Sequence, residues 1–441
     1  MQQYKDFGKM PTYKFFVDSG IFFTLKETIE EFFKCTVEVY AHPSYQVKKK
    51  HDIDIMDNPR RGFYPIDENN VLILARIVKD KKLLSGIGFL LSTKAISKNT
   101  KLLNVFESAL TGILTHEFNS RFQHGCLAFG DELIKRTITN YISKGYYNFI
   151  NVRHLIEYFF KLRTTSFEGE YFSTGLLLSK AIHDYIDINE RFVDLFELDK
   201  WIRLRNTNKI DKRLWYLADG KKTFFLSTNK LDILYFIALN EDYIKTNYLD
   251  SHTLALTLKG GDTLFKIENE KLFSINTHSG YEFLFFENQW RYRNYNFFKD
   301  ILKEQIGDDN ELIEAIIFFI LNCSKKQISS IIWFPDDFNT IDNFIQANTK
   351  NIFINEKVNL KDKKFINHIM RCLSSDGATV INKNGCVEYL GVIADLNKIT
   401  LKGLIGTGES AASALAKNGM SVKISQDGII KIFIGDSKII F

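Results

Sequence analysis

The sequence predicts a multidomain α/β protein, and three observations support this class. The chain has 441 residues, which is enough for two or three domains of ordinary size. Hydrophobic residues make up 45% of the chain, so a packed core is possible throughout. Segments with helical spacing and short β-type runs follow one another along the whole sequence, which predicts helices and strands in every region.

Residues 1–200 form the first predicted region, with α+β and then helical character. The stretch from Thr24 to Glu27 matches a capping box that opens a helix through Phe33. Strands are predicted at 36–40, 71–75 and 84–91. From about residue 100, apolar residues recur at helical spacing, which predicts helices over 102–114, 132–143, 150–162 and 173–186.

Residues 201–298 change to short alternating runs broken by turn pairs such as Asp219-Gly220 and Ser279-Gly280. These runs predict a small antiparallel sheet with strands at 264–267, 272–275, 283–286 and 290–292. The pattern fits a separate domain and also fits a sheet that continues the N-terminal region.

Residues 299–441 have a βα-like order. The segment from Glu311 to Cys323 is apolar nearly all round, which predicts a buried helix. Further helices are predicted at 340–347, 362–373 and 408–417. Strands are predicted at 330–334, 352–354, 378–381, 387–392, 422–424 and 429–434.

Two stretches of this last region carry the candidate chemistry. Asp376 and Gly377 directly precede an apolar β-type run, and the glycine-rich turn 406–410 directly precedes an alanine-rich helix start. Such a turn directs backbone N–H groups and a helix N-terminus at an anion. A metal-binding carboxylate that faces a phosphate cradle makes a minimal nucleotidyl-transfer site.

These stretches also resemble a known family. Asp376-Gly377-Ala378 resembles the Asp-Gly-Ala motif of diadenylate cyclase (DAC) domains. Gly406-Thr407 followed by Ala411-Ala412 resembles the frame of the second motif of that family, Gly-Thr-Arg-His-Arg-Ala-Ala. The segment 424–430 resembles its Ser-Glu-Glu-x-Gly strand-turn-strand. The resemblance covers roughly the last quarter to third of the chain.

The sequence departs from the family in its second motif. Gly408, Glu409 and Ser410 stand where the family has Arg, His and Arg, and Gln426 replaces an acidic residue. The exchange changes the local charge by about three units, whereas phosphoryl transfer depends on positive groups. Two outcomes stay open: Glu409 binds a metal ion that supplies the missing charge, or the site binds nucleotide weakly or not at all.

The resemblance implies a mixed sheet with helices on both faces, in a domain that joins two ATP molecules into cyclic di-AMP and releases pyrophosphate. Two protomers would face each other in a homo-oligomer, each with one ATP. The N-terminal region would act as a sensor for an unknown ligand. The implied catalytic and metal-binding residues are Asp376 and Glu409, with Mg²⁺ or Mn²⁺. The implied nucleotide-binding residues are Gly377, Ala378, Gly406, Thr407, Gly408 and Ser410. The alternative is a degenerate sensor that binds ATP or a cyclic dinucleotide without turnover.

Composition argues against several other classes. The net charge of +5 is mild for this length, which argues against DNA as a partner. Five scattered cysteines without a C-x-x-C pair indicate a reducing compartment, not a disulfide framework or zinc site. The polar first residues and the short longest apolar run, Ala315–Leu321, predict a cytoplasmic protein without a membrane span. His116-Glu117 lacks the second histidine of a zinc-protease motif.

Overall fold

The computed structural model describes residues 20–41, 43–52, 62–79, 82–93, 99–120, 127–144, 147–167, 169–171, 173–205, 212–240, 258–346, 358–396 and 406–441. These residues form two compact units. In the described part of the chain, the first unit ends at Asn294 and the second begins at Tyr295. Helices and mixed sheets occur together, which confirms the multidomain α/β class.

The first unit combines helices with two larger sheets and one short hairpin. Its helices are α1 (Ile21–Phe33), α2 (Pro43–His51), α3 (Thr100–Ser120), α4 (Leu127–Ser143), α5 (Phe149–Leu162) and α6 (Ile182–Asn189). Its strands are β1 (Thr36–Tyr40), β2 (Phe63–Pro65), β3 (Asn70–Lys79), β4 (Lys82–Ser92), β5 (Ser166–Phe167), β6 (Glu170–Tyr171), β7 (Thr174–Ser179), β8 (Val193–Arg203), β9 (Thr223–Thr228), β10 (Asp232–Leu239), β11 (Thr263–Asn269), β12 (Leu272–Thr277), β13 (Tyr281–Phe286) and β14 (Gln289–Asn294).

The strands of this unit pair mostly in antiparallel fashion. One sheet has the order β1-β4-β3-β2, and the other has the order β14-β13-β12-β11-β7-β9-β10-β8, in which β7 and β9 are parallel. The eight-stranded sheet takes strands from both sides of residue 200, so the predicted β-rich segment 201–298 shares its sheet with β7 and β8. Aromatic side chains of the helices pack on this sheet; Phe32, for example, stacks on Phe283 at 6.3 Å between ring centroids.

Two predictions for the first unit are wrong. The helix predicted over 173–186 is strand β7 followed by helix α6. All of β7 is buried, and a continuous apolar run of a buried strand has the same pattern as a buried helix. The capping box at Thr24 is also wrong, because α1 begins at Ile21, where Ile21 and Phe22 belong to the buried face. Thr24 lies inside the helix, and its carbonyl accepts a hydrogen bond from Thr28 Oγ1.

The second unit is built on one six-stranded mixed sheet. Its helices are α7 (Tyr295–Ile306), α8 (Asn310–Lys325), α9 (Ile366–Leu373) and α10 (Thr407–Leu415). Its strands are β15 (Ser330–Phe334), β16 (Ala378–Ile381), β17 (Val387–Val392), β18 (Met420–Ile424), β19 (Ile430–Ile434) and β20 (Ser437–Ile440). The order is β17-β16-β15-β18-β19-β20, with β15 and β16 parallel and the other pairs antiparallel.

Helices cover both faces of this sheet. On one face, α8 is buried nearly all round, as predicted, and packs with Ile332 and Val422. On the other face, Ala412 and Leu415 of α10 pack with Trp333. Alternate residues along β15 therefore belong to different cores, which explains why all of β15 is buried.

The remaining differences concern the elements between β15 and β16 and at the end of the chain. The helix predicted over 340–347 is a 3₁₀ helix at Phe338–Asn343, because Ile345 leaves it to bridge Ala394. The helix predicted over 362–373 is a 3₁₀ turn at Lys363–Phe365 followed by α9. The strand predicted at 352–354 lies outside the described residues, and β20 was not predicted. No helix in the described residues has the length and apolar character needed to cross a bilayer.

Candidate functional site

The stretches with candidate chemistry meet at one end of the six-stranded sheet. Ala378, the first residue of β16, lies opposite Ile331 of β15, and Ile331 lies opposite Lys423 of β18. Asp376 and Gly377 therefore enter the sheet at the end where β15 begins and β18 finishes. The tight turn 425–429, which carries the third motif, joins β18 to β19 at the same end.

Helix α10 begins at this end of the sheet. A Cβ atom on Gly408 would lie 3.1 Å from Lys423 Cε, whereas further along the helix the Ala412 carbonyl accepts a hydrogen bond from Ser421 Oγ at 2.6 Å. The helix thus runs from the Asp376 end toward the opposite end. Two strand spacings, about 10 Å, separate β16 from β18. A nucleoside triphosphate is long enough to span the carboxylate and the helix start.

The Asp-Gly-Ala stretch has one exposed functional group. Asp376 is exposed, and its Oδ1 accepts a hydrogen bond from the Gly377 N–H at 3.0 Å. Gly377 has φ +86, and a Cβ there would lie 2.6 Å from the carbonyl carbon of Gly391. Glycine is therefore required at position 377 by the close approach of β17. Ala378 is buried in the core under α10, so its side chain does not line the exposed edge.

The turn before α10 leaves the helix start uncapped. Gly406 is the N-cap residue, with φ −57 and ψ 150, and no side chain of the described residues caps the helix. Gly406 and Thr407 are exposed, so the first N–H groups and the Thr407 hydroxyl can meet a ligand. Ser410 differs from the prediction: it is buried, and its N–H donates to the Gly406 carbonyl at 2.9 Å.

Glu409 does not join Asp376. Its carboxylate accepts hydrogen bonds from Lys431 and, at 3.1 Å, from Lys438. Burial raises the pKa of Glu409, but the hydrogen bonds and charges of the two lysines outweigh this effect and hold the pKa below its usual range. Lys431 belongs to β19, which lies three strand spacings, roughly 14 Å, from β16.

Glu409 therefore has lysine partners in the structure, and the metal pair with Asp376 stays a prediction. A shared ion would need both carboxylates within coordinating distance, whereas Glu409 is held by ammonium groups on the far strands. In the part of the chain that the structure describes, no group of three or more His, Cys, Asp or Glu side chains could hold a metal ion. Asp376 alone still fits Mg²⁺ or Mn²⁺, because Mg²⁺ is commonly bound by one carboxylate together with substrate phosphates.

Sequence reasoning missed Lys423 and Ser329. Lys423 is half-buried beneath the start of α10, and its Nζ donates a hydrogen bond to Ser329 Oγ at 2.7 Å. Burial lowers the pKa of Lys423, and the nearby charge of Lys431 lowers it further. The available signal was the pair Ser421 and Lys423, two polar residues on the face of a strand that a helix covers.

One exposed apolar side chain follows the strand that pairs with the start of β16. Val392 of β17 is paired with Ala378, and Ile393 follows it with 48% of its surface exposed.

A separate cavity of about 470 Å³ lies in the first unit. Its lining includes Arg163, Tyr171, Glu270 and Lys271. Arg163 is buried, donates to the Glu270 carbonyl and lies over the rings of Phe160 and Phe285 at 4.5 Å. None of the residues with candidate nucleotide chemistry lines this cavity.

Comparisons with known proteins do not define a family for this chain. No protein-family model matches it, and no curated protein matches it. One similar solved structure is described as a hypothetical membrane spanning protein from Bacillus cereus, with 18% identity and a TM-score of 0.24. The match covers 29% of this chain and 61% of that chain, less than two thirds of its length. A similarity of this size carries no conclusion about function.

Proposed function

We propose that the second unit is a diadenylate cyclase-like nucleotidyltransferase that condenses two ATP molecules into cyclic di-AMP or a related cyclic dinucleotide. One observation carries the proposal. Three stretches that resemble DAC motifs are separate in the sequence, and all three lie at one end of one sheet. An accidental resemblance in each stretch would not require this common position.

The chemistry follows from the groups at this end of the sheet. In each half of the reaction, a 3′-hydroxyl loses its proton to solvent, and its oxygen bonds to the α-phosphorus of the other ATP. The bond from that phosphorus to the bridging oxygen breaks, and pyrophosphate leaves. Asp376 is the exposed carboxylate available to orient a 3′-hydroxyl and to hold Mg²⁺ or Mn²⁺. The ion would supply positive charge against the triphosphate. The uncapped N–H groups of α10 face the same anion.

The partners follow from the same proposal. Because each product needs two ATP molecules, two copies of the chain would bring their sheet ends face to face as a homo-oligomer. The first unit would regulate the reaction as a sensor, with a ligand whose identity is open. The mild net charge does not favour DNA.

A second candidate is a nucleotide sensor without turnover. The observation that favours it is the ion-pair group of Glu409, Lys431 and Lys438. Those lysines neutralise a carboxylate of the chain itself, so their charge is not free for a triphosphate.

The test is incubation of the full chain with ATP and Mg²⁺ or Mn²⁺, followed by mass spectrometry for cyclic di-AMP. We expect product from the unaltered chain and none from Asp376→Asn. The matched control is Asp336→Asn, which removes an exposed carboxylate at the opposite end of the same sheet. Tight binding of ATP or cyclic di-AMP without product would favour the sensor, and the absence of binding of both nucleotides would refute both candidates.

A further inference from the structure

Lys423 occupies an unusual position for a lysine. It projects from a strand onto the face that α10 covers, and it is half-buried. Its described hydrogen-bond partner is the neutral hydroxyl of Ser329, at 2.7 Å. A partly buried cation is costly unless an anion compensates it.

Three lysines lie around the start of α10. The ammonium groups of Lys431 and Lys438 donate to the Glu409 carboxylate, and Lys423 lies close to the charge of Lys431. One Glu409 oxygen accepts from Lys431, and the other accepts from Lys438. Lys423 therefore differs from the other two lysines in that its described partner, the Ser329 hydroxyl, carries no charge.

Gly408 makes room for this arrangement. A Cβ atom there would lie 3.1 Å from Lys423 Cε and 3.3 Å from Nζ, which is closer than most real Cβ contacts. Gly408 has no positive φ that would demand glycine. The absence of a side chain at position 408 thus allows the ammonium of Lys423 to lie against the first turn of α10.

We infer that Lys423, admitted by Gly408 and held by Ser329, is the cation that binds the phosphate chain of a nucleoside triphosphate at this site. The inference rests on the proposed function, because the triphosphate is the ligand of that function. The inference also explains why the second motif has no arginine at position 408. The positive charge comes from Lys423 on a neighbouring strand, and the residue at position 408 only has to leave space for the lysine side chain.

The experiment measures binding to the full chain by titration calorimetry, with ATP, inorganic tripolyphosphate and adenosine as probes. Lys423→Met keeps most of the side-chain volume and removes the charge. We expect it to weaken ATP and tripolyphosphate binding by about 10- to 100-fold, the loss of one charge-assisted hydrogen bond. Adenosine binding should not change. Lys383→Met, at the opposite end of the sheet, is the matched control and should bind as the unaltered chain does.

Two further variants guard against misfolding. Lys423→Arg keeps the charge and should retain ATP binding within a few-fold. Gly408→Ala should weaken tripolyphosphate binding because its methyl group displaces the Lys423 ammonium, yet it should not lower the melting temperature, since alanine favours helix over glycine. Unchanged tripolyphosphate binding in Gly408→Ala would contradict the spatial part of the inference.

The outcomes separate the inference from the proposed function. If ATP binds the unaltered chain and Lys423→Met equally well, the inference is wrong and the proposed function stands. A different result would separate the phosphate site from the nucleotide function. If tripolyphosphate binding depends on Lys423, but ATP binds no more tightly than tripolyphosphate and yields no product, the phosphate site is supported and the nucleotide function is refuted. If neither probe binds the unaltered chain, both are refuted.

Discussion

Gly377 offers the sharpest test of the geometry at the candidate site. Its φ is +86, and a Cβ atom would lie 2.6 Å from the Gly391 carbonyl carbon and 2.9 Å from the Val392 carbonyl oxygen. The obstructing atoms are backbone atoms of a paired strand, so they cannot rotate away. Gly377→Ala therefore combines a conformational cost of about 1–2 kcal/mol with an overpacking cost of about 1–3 kcal/mol.

The two costs can be measured separately because the second unit contains matched glycines. Gly307 has φ +108 and Gly435 has φ +55, and nothing lies within 4 Å of a Cβ at either position. Alanine at these positions should show the conformational cost alone. We expect Gly377→Ala to lose about 3–4 kcal/mol of unfolding free energy, and each control to lose about 1–2 kcal/mol.

The assay is hydrogen exchange followed by mass spectrometry on the full chain, read at peptides from β16 and β17 under denaturant titration. This readout isolates the second unit from the first, so overlapping unfolding transitions do not confuse the result. If Gly377→Ala falls within about 1 kcal/mol of both controls, the close approach of β17 is refuted. Glycine at that position would then need another reason, such as access for a ligand.

Three other predictions concern the same unit. Glu409→Gln should lower the unfolding free energy, measured with urea, by about 1 kcal/mol at pH 7. Because the pKa of Glu409 is lowered in the folded chain, this stabilisation is fully present above the ordinary carboxyl pKa. It should disappear as the pH falls through the lower pKa of the folded chain. Trp333→Phe should lower the unfolding free energy by about 1–3 kcal/mol in the same urea assay. The change leaves the buried Asn418 carbonyl without the indole N–H that donates to it at 3.0 Å. Burial raises the pKa of the Cys323 thiol to about 12, so iodoacetamide at pH 8 should leave Cys323 unmodified in the native chain and alkylate it in the urea-unfolded chain, as peptide mass spectrometry would show.

The sequence was most informative where local pattern and tertiary environment agree. The apolar spacing of α8 and the alternation of β11–β14 predicted elements that the structure contains, because packing reinforces what the local pattern favours. The misread segment, β7, is buried on both sides, so its apolar run carries no periodic signal. The start of α1 was missed because the packing of Ile21 and Phe22 overrides a local capping pattern.

The candidate site divides in the same way. The exposed Asp376 and the glycine turn before α10 could be recognised from short stretches, because their roles depend on local backbone geometry. The environments of Glu409 and Ser410 depend on which side of α10 faces the sheet. The lysines that engage Glu409 come from β19 and β20, and β20 was not predicted at all.

The departure from the second motif illustrates why residues in such a motif cannot be judged singly. By local reasoning, glycine at position 408 only removes an arginine, and the site loses charge. In the folded chain the same glycine borders Lys423, and a Cβ atom at position 408 would lie 3.3 Å from its ammonium nitrogen. Strand pairing places Lys423 level with Ile331, and Ile331 level with the first residue after the Asp376-Gly377 turn. The positive charge missing at position 408 and the positive charge of Lys423 therefore belong to the same end of the sheet. The sum of the two charges decides whether that end can attract a triphosphate.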